Sequence, residues 1–284
     1  MSIDGWSRPA FAKKVGVEEV SMGEYSKVET DGHLFIVTIN RPEVYNAIHP
    51  MASQELSDAF DEFAANPDLW VAIVTGAGDK AFSAGNDLKY HAELRAKTGQ
   101  RPTSPSKGFG GLTNRHDLEK PVIAAVNGVA MGGGFEIALA CDIIIASDQA
   151  KFALPEPRVG LAAAAGGMQR LSRQIPLKKA MGMMLTGRHV SAQEGYELGF
   201  VTAVVPQAKL MEEARRWAGL ILECSPMSVR ATKQIVMRSL DVPALELAAR
   251  NVNYPAFVAL QHSEDTIEGP KAFAEKRKPN WKGR

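Results

Sequence analysis

Short runs of β-branched and other apolar residues recur between residues 34 and 205, and stretches of helical character separate most of them. This alternation is typical of an α/β domain. Apolar residues at positions 52, 56, 59, 60 and 63 share one face of a helix over residues 51–65, and Pro50 suits its first turn. We therefore expect an α/β core over residues 25–205. The predicted strands lie in residues 34–40, 70–76, 121–128, 141–147 and 201–205.

Three other segments differ from this core. Residues 1–24 have no long apolar run and carry several charged side chains, which predicts an N-terminal extension that is partly flexible. Residues 97–111 are rich in Gly, Pro, Ser and basic residues, and we expect a loop that covers a site. After Val205 the apolar residues keep helical spacing, so residues 206–284 are expected to form a separate C-terminal helical region.

Charge, apolar run length and cysteine spacing exclude several classes of function. The chain has 33 basic and 32 acidic side chains. Its net charge of +1 is too small to attract a nucleic acid or an anionic membrane. No apolar run approaches the ~20 residues of a membrane span. The histidines, Cys141 and Cys224 lack the spacing of metal ligands, so we expect no metal and two buried thiols. These features together predict a cytoplasmic protein.

A glycine turn after the second predicted strand carries the sequence AFSAGNDLK, residues 81–89. Asn86 and Asp87 favour the start of a helix, where backbone N–H groups have no partner within the helix and can bind an oxygen. A capped turn without function is the alternative interpretation. A dinucleotide site is not favoured, because the third glycine of its fingerprint falls on Ala81. Ser83 lacks the context of a nucleophile and is interpreted as a turn residue.

A second glycine turn carries the sequence MGGGFEIALACD, residues 131–142, after the strand predicted in residues 121–128. Glycines allow another group to approach the backbone closely, and the following helix start leaves N–H donors unpaired. One donor from each glycine turn would form an oxyanion hole, in which a carbonyl oxygen is stabilised as it gains charge. Burial of the charged Glu136 near the start of this apolar helix costs free energy, so we expect the side chain to have a partner or a function.

A second acid, Glu156, lies between Pro155 and Pro157 and is thereby kept out of a regular helix. It follows Glu136 by 20 residues, across the strand predicted in residues 141–147. A surface acid is the simpler interpretation. If the two carboxylates hold one water, their mutual repulsion raises one pKa and provides a general base and a general acid in one place.

These stretches, in this order, resemble the crotonase family, which is also called the enoyl-CoA hydratase/isomerase superfamily. The resemblance extends over residues 25–284. It implies a spiral of ββα turns, a C-terminal helical trimerisation region, and a homotrimer or homohexamer. The matching segments are INRPEVYNAI, AFSAGNDL, KPVIAAVNGVAMGGGFEIALACD, FALPEPRVGL, AGGMQRL, LTGRHVSAQEGYELGFV and AFAEKRKPNWKGR.

The resemblance also implies a role for each site residue. The N–H groups of Asn86 and Gly133 hold the thioester oxygen of an acyl-CoA substrate, and Glu136 and Glu156 are the catalytic acids. Coenzyme A arrives as part of the substrate, so no separate cofactor is expected. The implied substrate-binding residues are Val44, Ala84, Asn86, Asp87, Leu88, Lys89 and Gly133.

The resemblance implies reversible hydration of a 2-enoyl-CoA to a 3-hydroxyacyl-CoA, because family members that only shift a double bond typically lack the first of the two glutamates. Within the family, the segments GFGGLT and FALPE and the chain end are similar to the carnitinyl-CoA dehydratase branch. The alternatives are a double-bond isomerase that uses Glu156 alone and a non-catalytic scaffold that binds CoA or RNA. One departure is clear: Ala163 and Ala164 stand where hydratases carry a Pro-Gly pair, and we expect an alanine amide still to bind water.

Overall fold

The computed structural model describes residues 18–20, 23–100, 103–250 and 252–284, with side chains from residue 23 onward. The described residues form eleven strands and eleven α-helices. The strands are β1 (Glu18–Val20), β2 (Ser26–Asp31), β3 (Leu34–Ile39), β4 (Val71–Gly76), β5 (Ala81–Ser83), β6 (Val122–Val126), β7 (Val129–Met131), β8 (Ile143–Ser147), β9 (Lys151–Ala153), β10 (Val190–Ser191) and β11 (Ala203–Val205). The helices are α1 (Pro50–Ala65), α2 (Leu88–Thr98), α3 (Gly133–Ala140), α4 (Gly167–Gln174), α5 (Leu177–Thr186), α6 (Ala192–Leu198), α7 (Leu210–Leu222), α8 (Pro226–Ser239), α9 (Leu245–Arg250), α10 (Pro255–Gln261) and α11 (Glu264–Ala274).

The strands form two sheets, and successive strand pairs contribute one strand to each. The larger sheet has the order β1-β2-β3-β4-β6-β8-β11, and the smaller has the order β10-β9-β7-β5. In each of the pairs β4–β5, β6–β7 and β8–β9, the first strand lies in the larger sheet and the second in the smaller. In the smaller sheet β5, β7 and β9 pair in parallel, and β10 pairs antiparallel with β9. The chain therefore winds as a spiral of ββα turns, which confirms the expected α/β fold class.

The larger sheet is buried on both faces. Phe35, Val37 and other residues of one face pack into the main core with α1 and α3. Leu34 and Ile36, which point to the opposite face, pack with Leu210 and the small residues of α7. All strands of the described residues precede residue 206, and α7, which follows them, packs against the second face of the larger sheet. The division of the chain at residue 206 into two regions stays a prediction.

The five predicted runs correspond to β3, β4, β6, β8 and β11, and the helix predicted over residues 51–65 is α1. The short strands of the smaller sheet were not predicted, because two or three residues are too few to show an alternating pattern. Cys141 is buried as predicted, whereas Cys224 is exposed, so the prediction of two buried thiols is wrong for Cys224. No described helix is long and apolar enough to cross a membrane.

The predicted N-terminal extension lies mostly outside the described residues. Residues 1–17 and 21–22 are not described, so the prediction of partial flexibility is not tested there. Glu18–Val20 form β1, which pairs antiparallel with β2. The larger sheet therefore extends into the segment that the sequence had assigned to the extension.

The side chain of Asn127 joins the turns that follow β4 and β6. It is 4% exposed. Its Nδ2 donates to the carbonyls of Gly76 (2.9 Å) and Gly78 (2.7 Å), and its Oδ1 accepts the N–H of Gly76 (3.2 Å). The amide thereby satisfies buried backbone groups of a neighbouring turn, which sets how β5 and β7 enter the smaller sheet.

We expect Asn127→Ala to lower the free energy of unfolding by about 2–4 kcal/mol, because buried carbonyls and an N–H lose their partner. Urea unfolding at one protein concentration measures this change. Asn253→Ala is the matched control, since Asn253 is exposed and should change stability by less than about 0.5 kcal/mol. Equal effects of the two substitutions would contradict a structural role for the Asn127 side chain.

Candidate active site

A cavity of about 510 Å³ opens where the glycine turns after β5 and β7 meet. Its wall includes backbone from both turns, both predicted catalytic acids, and apolar residues from two loops. A cavity of this size can hold a small-molecule ligand or the reacting part of a larger one. The lining residues are Ala84, Asn86, Leu88, Ser104, Pro105, Gly108, Phe109, Thr113, Asn114, Gly132, Gly133, Glu136, Pro155, Glu156, Val159, Leu161, Ala162, Ala164 and Ala165.

The turn after β5 holds the backbone of Asn86 toward the cavity. Ser83 Oγ accepts the N–H of Gly85 at 3.0 Å, and the Gly85 carbonyl accepts the N–H of Ile48 at 2.8 Å. Asp87 is the N-cap of α2, and its carboxylate accepts the N–H of Tyr90 at 3.1 Å. Within the described part of the chain, the N–H of Asn86 has no acceptor. It is therefore free to bind a ligand oxygen.

The turn after β7 brings a second amide to the same place. Gly133 is the first residue of α3, so its N–H has no partner within the helix. The two turns are in backbone contact: a Cβ added to Gly85 would lie 2.5 Å from the Met131 carbonyl oxygen and 2.9 Å from the Gly133 nitrogen. Gly85 also has a φ of +86°, so glycine is required there for both reasons.

Glu136 extends from the first turn of α3 into the cavity wall and is only 3% exposed. Its Oε1 accepts the N–H of Gly167 at 2.8 Å. Burial, and then the nearby charge of Glu156, raise the pKa of Glu136 to about 7, against the opposing effect of the Gly167 amide. This carboxyl can therefore gain or lose a proton near neutral pH.

Glu156 begins a 3-10 helix, Glu156–Val159, directly after Pro155. Its Oε1 lies beside the turn of Gly132, where an added Cβ would approach it to 2.9 Å. Its Oε2 is buried and has no hydrogen-bond partner among the described residues. Burial raises the pKa of Glu156 as well. The sequence argument attributed a raised pKa to repulsion between the two acids, whereas burial is the larger cause for both.

The structure places the other predicted ligand residues in two groups. Ala84 and Leu88 line the cavity together with Asn86 and Gly133. Val44, Asp87 and Lys89 do not line it. The Asp87 carboxylate is paired with Arg41 at 2.9 Å, while Val44 is 37% exposed and Lys89 is exposed. Contact of these three with a substrate stays a prediction.

The alanine segment after Glu156 differs from what the sequence led us to expect. The N–H of Ala164 donates to the carbonyl of Ala162 at 2.8 Å, so it is not available to a water. Ala163 is buried rather than part of the cavity wall, while Ala162, Ala164 and Ala165 line it. Glu136, held by the Gly167 amide, lines the same cavity as this apolar wall.

Sequence reasoning missed residues that reach the cavity through packing. Phe109 lies in a 3-10 helix, Phe109–Gly111, and its ring packs so closely on Gly133 that a side chain there would clash. The predicted loop over residues 97–111 does contribute to the cavity wall, although α2 extends to Thr98. Thr113 also lines the cavity, and its buried Oγ1 has no partner among the described residues. In the sequence, the glycines on both sides of Phe109 were the one indication that another part of the chain approaches this backbone closely.

A sequence model of the family described as Enoyl-CoA hydratase/isomerase matches residues 29–284, which is most of the chain. The protein belongs to this family. The match spans both glycine turns and both glutamates of the cavity. The crotonase family, identified above from seven sequence segments, is thereby confirmed.

Members of the crotonase family from several bacteria are similar over nearly the whole chain. A carnitinyl-CoA dehydratase of Escherichia coli is 44% identical over 271 residues, which is 93% of this chain and 100% of the relative. A carnitinyl-CoA dehydratase of Salmonella enteritidis is 43% identical over 267 residues, with the same coverage. The solved enoyl-CoA hydratase of Mycobacterium tuberculosis superposes with a TM-score of 0.84 at 36% identity, covering 92% of this chain and 99% of that structure.

The raised pKa of Glu136 predicts how stability depends on pH. The folded pKa of about 7 lies above the ordinary value of 4.5, so this group favours the folded state fully below pH 4.5. That contribution is lost as pH rises toward 7, by up to about 3 kcal/mol. Glu136→Gln keeps the shape but cannot ionise. We expect the variant to gain stability relative to the natural chain between pH 5 and pH 8.

Urea unfolding at pH 5 and pH 8, at one protein concentration, measures this difference. Glu223→Gln is the control, because Glu223 is exposed and its substitution should leave the pH dependence unchanged. The interpretation of Glu136 is wrong if Glu136→Gln and Glu223→Gln show the same change in stability between the two pH values.

Proposed function

We propose that this protein catalyses the reversible hydration of a 2-enoyl-CoA thioester to a 3-hydroxyacyl-CoA. The observation that carries the proposal is that Glu136, Glu156 and the backbone of Asn86 and Gly133 line a single cavity. Two amides and two acids are the groups that addition of water to a conjugated thioester requires. The coarser statement, an enzyme of the crotonase family that acts on CoA thioesters, rests on the family match.

The proposed first task of the site is to polarise the thioester. The carbonyl oxygen accepts the N–H groups of Asn86 and Gly133, and these bonds strengthen as negative charge develops on the oxygen. Loss of one such donor typically raises the barrier by about 3–4 kcal/mol. Polarisation draws electron density from C3 and makes it an acceptor for water.

The proposed second task is transfer of two protons. Ionised Glu136 takes a proton from the water whose oxygen bonds to C3, and protonated Glu156 gives its proton to C2. The raised pKa values of both acids support this pairing. Glu136, with a pKa of about 7, can exchange its proton near neutral pH, and burial of Glu156 favours the protonated form that donates to C2. Dehydration is the same sequence in reverse. The proposal requires no metal or redox cofactor, since coenzyme A arrives within the substrate.

A carnitinyl-CoA-like substrate is the finer form of this proposal. It is supported by the similarity to proteins named carnitinyl-CoA dehydratase along 93% of the chain. The wall formed by Phe109, Leu161, Ala162 and Ala164 offers apolar space beside the two acids. A panel of thioesters, including crotonyl-CoA and crotonobetainyl-CoA, measures the preference through the absorbance of the conjugated double bond.

We expect Glu136→Gln and Glu156→Gln each to lower kcat for hydration by at least about 100-fold, because each removes one proton transfer. Substrate binding should change little, since the glutamines keep the shape of the acids. Glu223→Gln serves as the control with an exposed acid.

Full activity of Glu136→Gln together with loss of activity in Glu156→Gln would contradict hydration by two acids. That result would instead favour the isomerase that uses Glu156 alone. Full activity of both variants would contradict the whole assignment.

We also propose that the chain assembles as a homotrimer or homohexamer, and that it acts in the cytoplasm. Large apolar side chains of the C-terminal helical region are exposed in the single chain, which indicates a contact surface. Light scattering should give three or six times the mass of one chain, and the mass of a single chain would contradict the proposal. These exposed residues include Leu240, Leu245, Leu247, Ile267 and Phe273.

A further inference from the structure

Arg170 on α4 lies behind the wall of the cavity and reaches two separate segments of that wall. Its Nη2 donates to the carbonyl of Thr113 at 2.7 Å, and its Nη1 donates to the carbonyl of Ala165 at 3.4 Å. Its guanidinium packs so closely on Gly166, which has a φ of +97°, that a side chain there would clash. The side chain therefore joins parts of the chain that are more than fifty residues apart.

Each of the two segments has a defined place in the site. Residues 104–114 include Phe109, whose ring packs on the Gly133 amide turn. The turn over residues 165–167 ends at Gly167, whose N–H holds Oε1 of Glu136 at 2.8 Å. An added Cβ on Gly167 would lie 2.9 Å from Cγ of Glu136, so the acid and this turn are in direct contact. One guanidinium thus contacts both the segment whose Phe109 packs on Gly133 and the turn whose Gly167 N–H binds Glu136.

The charge of Arg170 is also directed at the site. In the described residues Arg170 forms no salt bridge, although its side chain is partly buried. The titratable groups that face it are Glu136 and the thiol of Cys141. Glu136 in turn faces Glu156, whose negative charge favours its neutral form, and Arg170, whose positive charge favours its ionised form. Arg170 therefore opposes the effect of Glu156 on the acid.

We infer that Arg170 is a positioning residue for hydration. It ties residues 104–114 to the turn over residues 165–167 that holds Glu136, and it places a positive charge near that acid. The inference rests on the proposed function, in which Glu136 acts as the base. Two properties of the guanidinium are required: several N–H donors that reach both carbonyls, and a fixed positive charge.

Two substitutions separate these properties. Arg170→Met removes both, while Arg170→Lys keeps the charge but lacks the planar fork that spans two carbonyls. Arg173→Met is the matched control on the same helix. Arg173 is exposed, and among the described residues its side chain donates to the Gln169 carbonyl one turn earlier.

We expect Arg170→Met to lower kcat by at least about 10-fold. In the profile of kcat/KM against pH, the variant should also shift the acidic limb to higher pH by at least about 0.5 unit, because loss of a nearby positive charge raises the pKa of an acid. Arg170→Lys should leave this limb within about 0.2 unit but lower kcat. A limb in Arg170→Met that coincides with that of Arg173→Met overturns the electrostatic part of the inference.

A second measurement does not depend on activity. Hydrogen exchange of the free protein reports opening of residues 104–114 and 165–167. We expect Arg170→Lys and Arg170→Met to increase exchange in both segments together, with a similar thermal unfolding midpoint for the lysine variant. Unchanged exchange in either segment overturns the bridging role. If the natural chain hydrates no thioester in the panel, the proposed function fails, while coupled exchange still tests the bridge.

Discussion

Close contact between two backbone turns is the constraint on which the site depends. The turn that ends β5 and the turn that ends β7 approach until Gly85 lies against the Met131 carbonyl and the start of α3. Such an approach is possible only without a side chain, and the positive φ of Gly85 requires glycine independently. The parallel pairing of β5 with β7 sets the register of this contact. Two amides from distant parts of the sequence therefore face the same cavity.

The position and the pKa of the two acids also depend on how these turns pack. Glu136 follows the glycine turn by one turn of helix, so the backbone that exposes the Gly133 amide also aims the carboxylate. Burial then shifts its proton affinity, while the Gly167 amide and the Arg170 charge limit the shift. Burial acts in the same direction on Glu156. The raised pKa values thus follow from burial of both carboxyl groups more than from repulsion between them.

The sequence predicted those parts of the fold that have long or regular patterns. The strands β3, β4, β6, β8 and β11 carry enough apolar residues to be recognised, and α1 shows a clear apolar face. The smaller sheet could not be found, because strands of two or three residues gain their stability from pairing rather than from their own pattern. Likewise, the segment AGGMQRL contains Arg170 and not Arg173, but only the fold shows that Arg170 is partly buried between two loops while Arg173 is exposed.

By itself, the sequence determined the α/β class, the two glycine turns, the candidate acids and the family. These features are local: a turn, a cap or a motif is encoded by residues within a few positions of one another. Tertiary structure alone decided which residues meet. It joined Asn86, Gly133, Glu136 and Glu156 at one cavity, left Val44, Asp87 and Lys89 off its wall, and engaged the Ala164 amide with Ala162. Contacts and burial depend on how distant segments pack, and the packing also shifts each pKa.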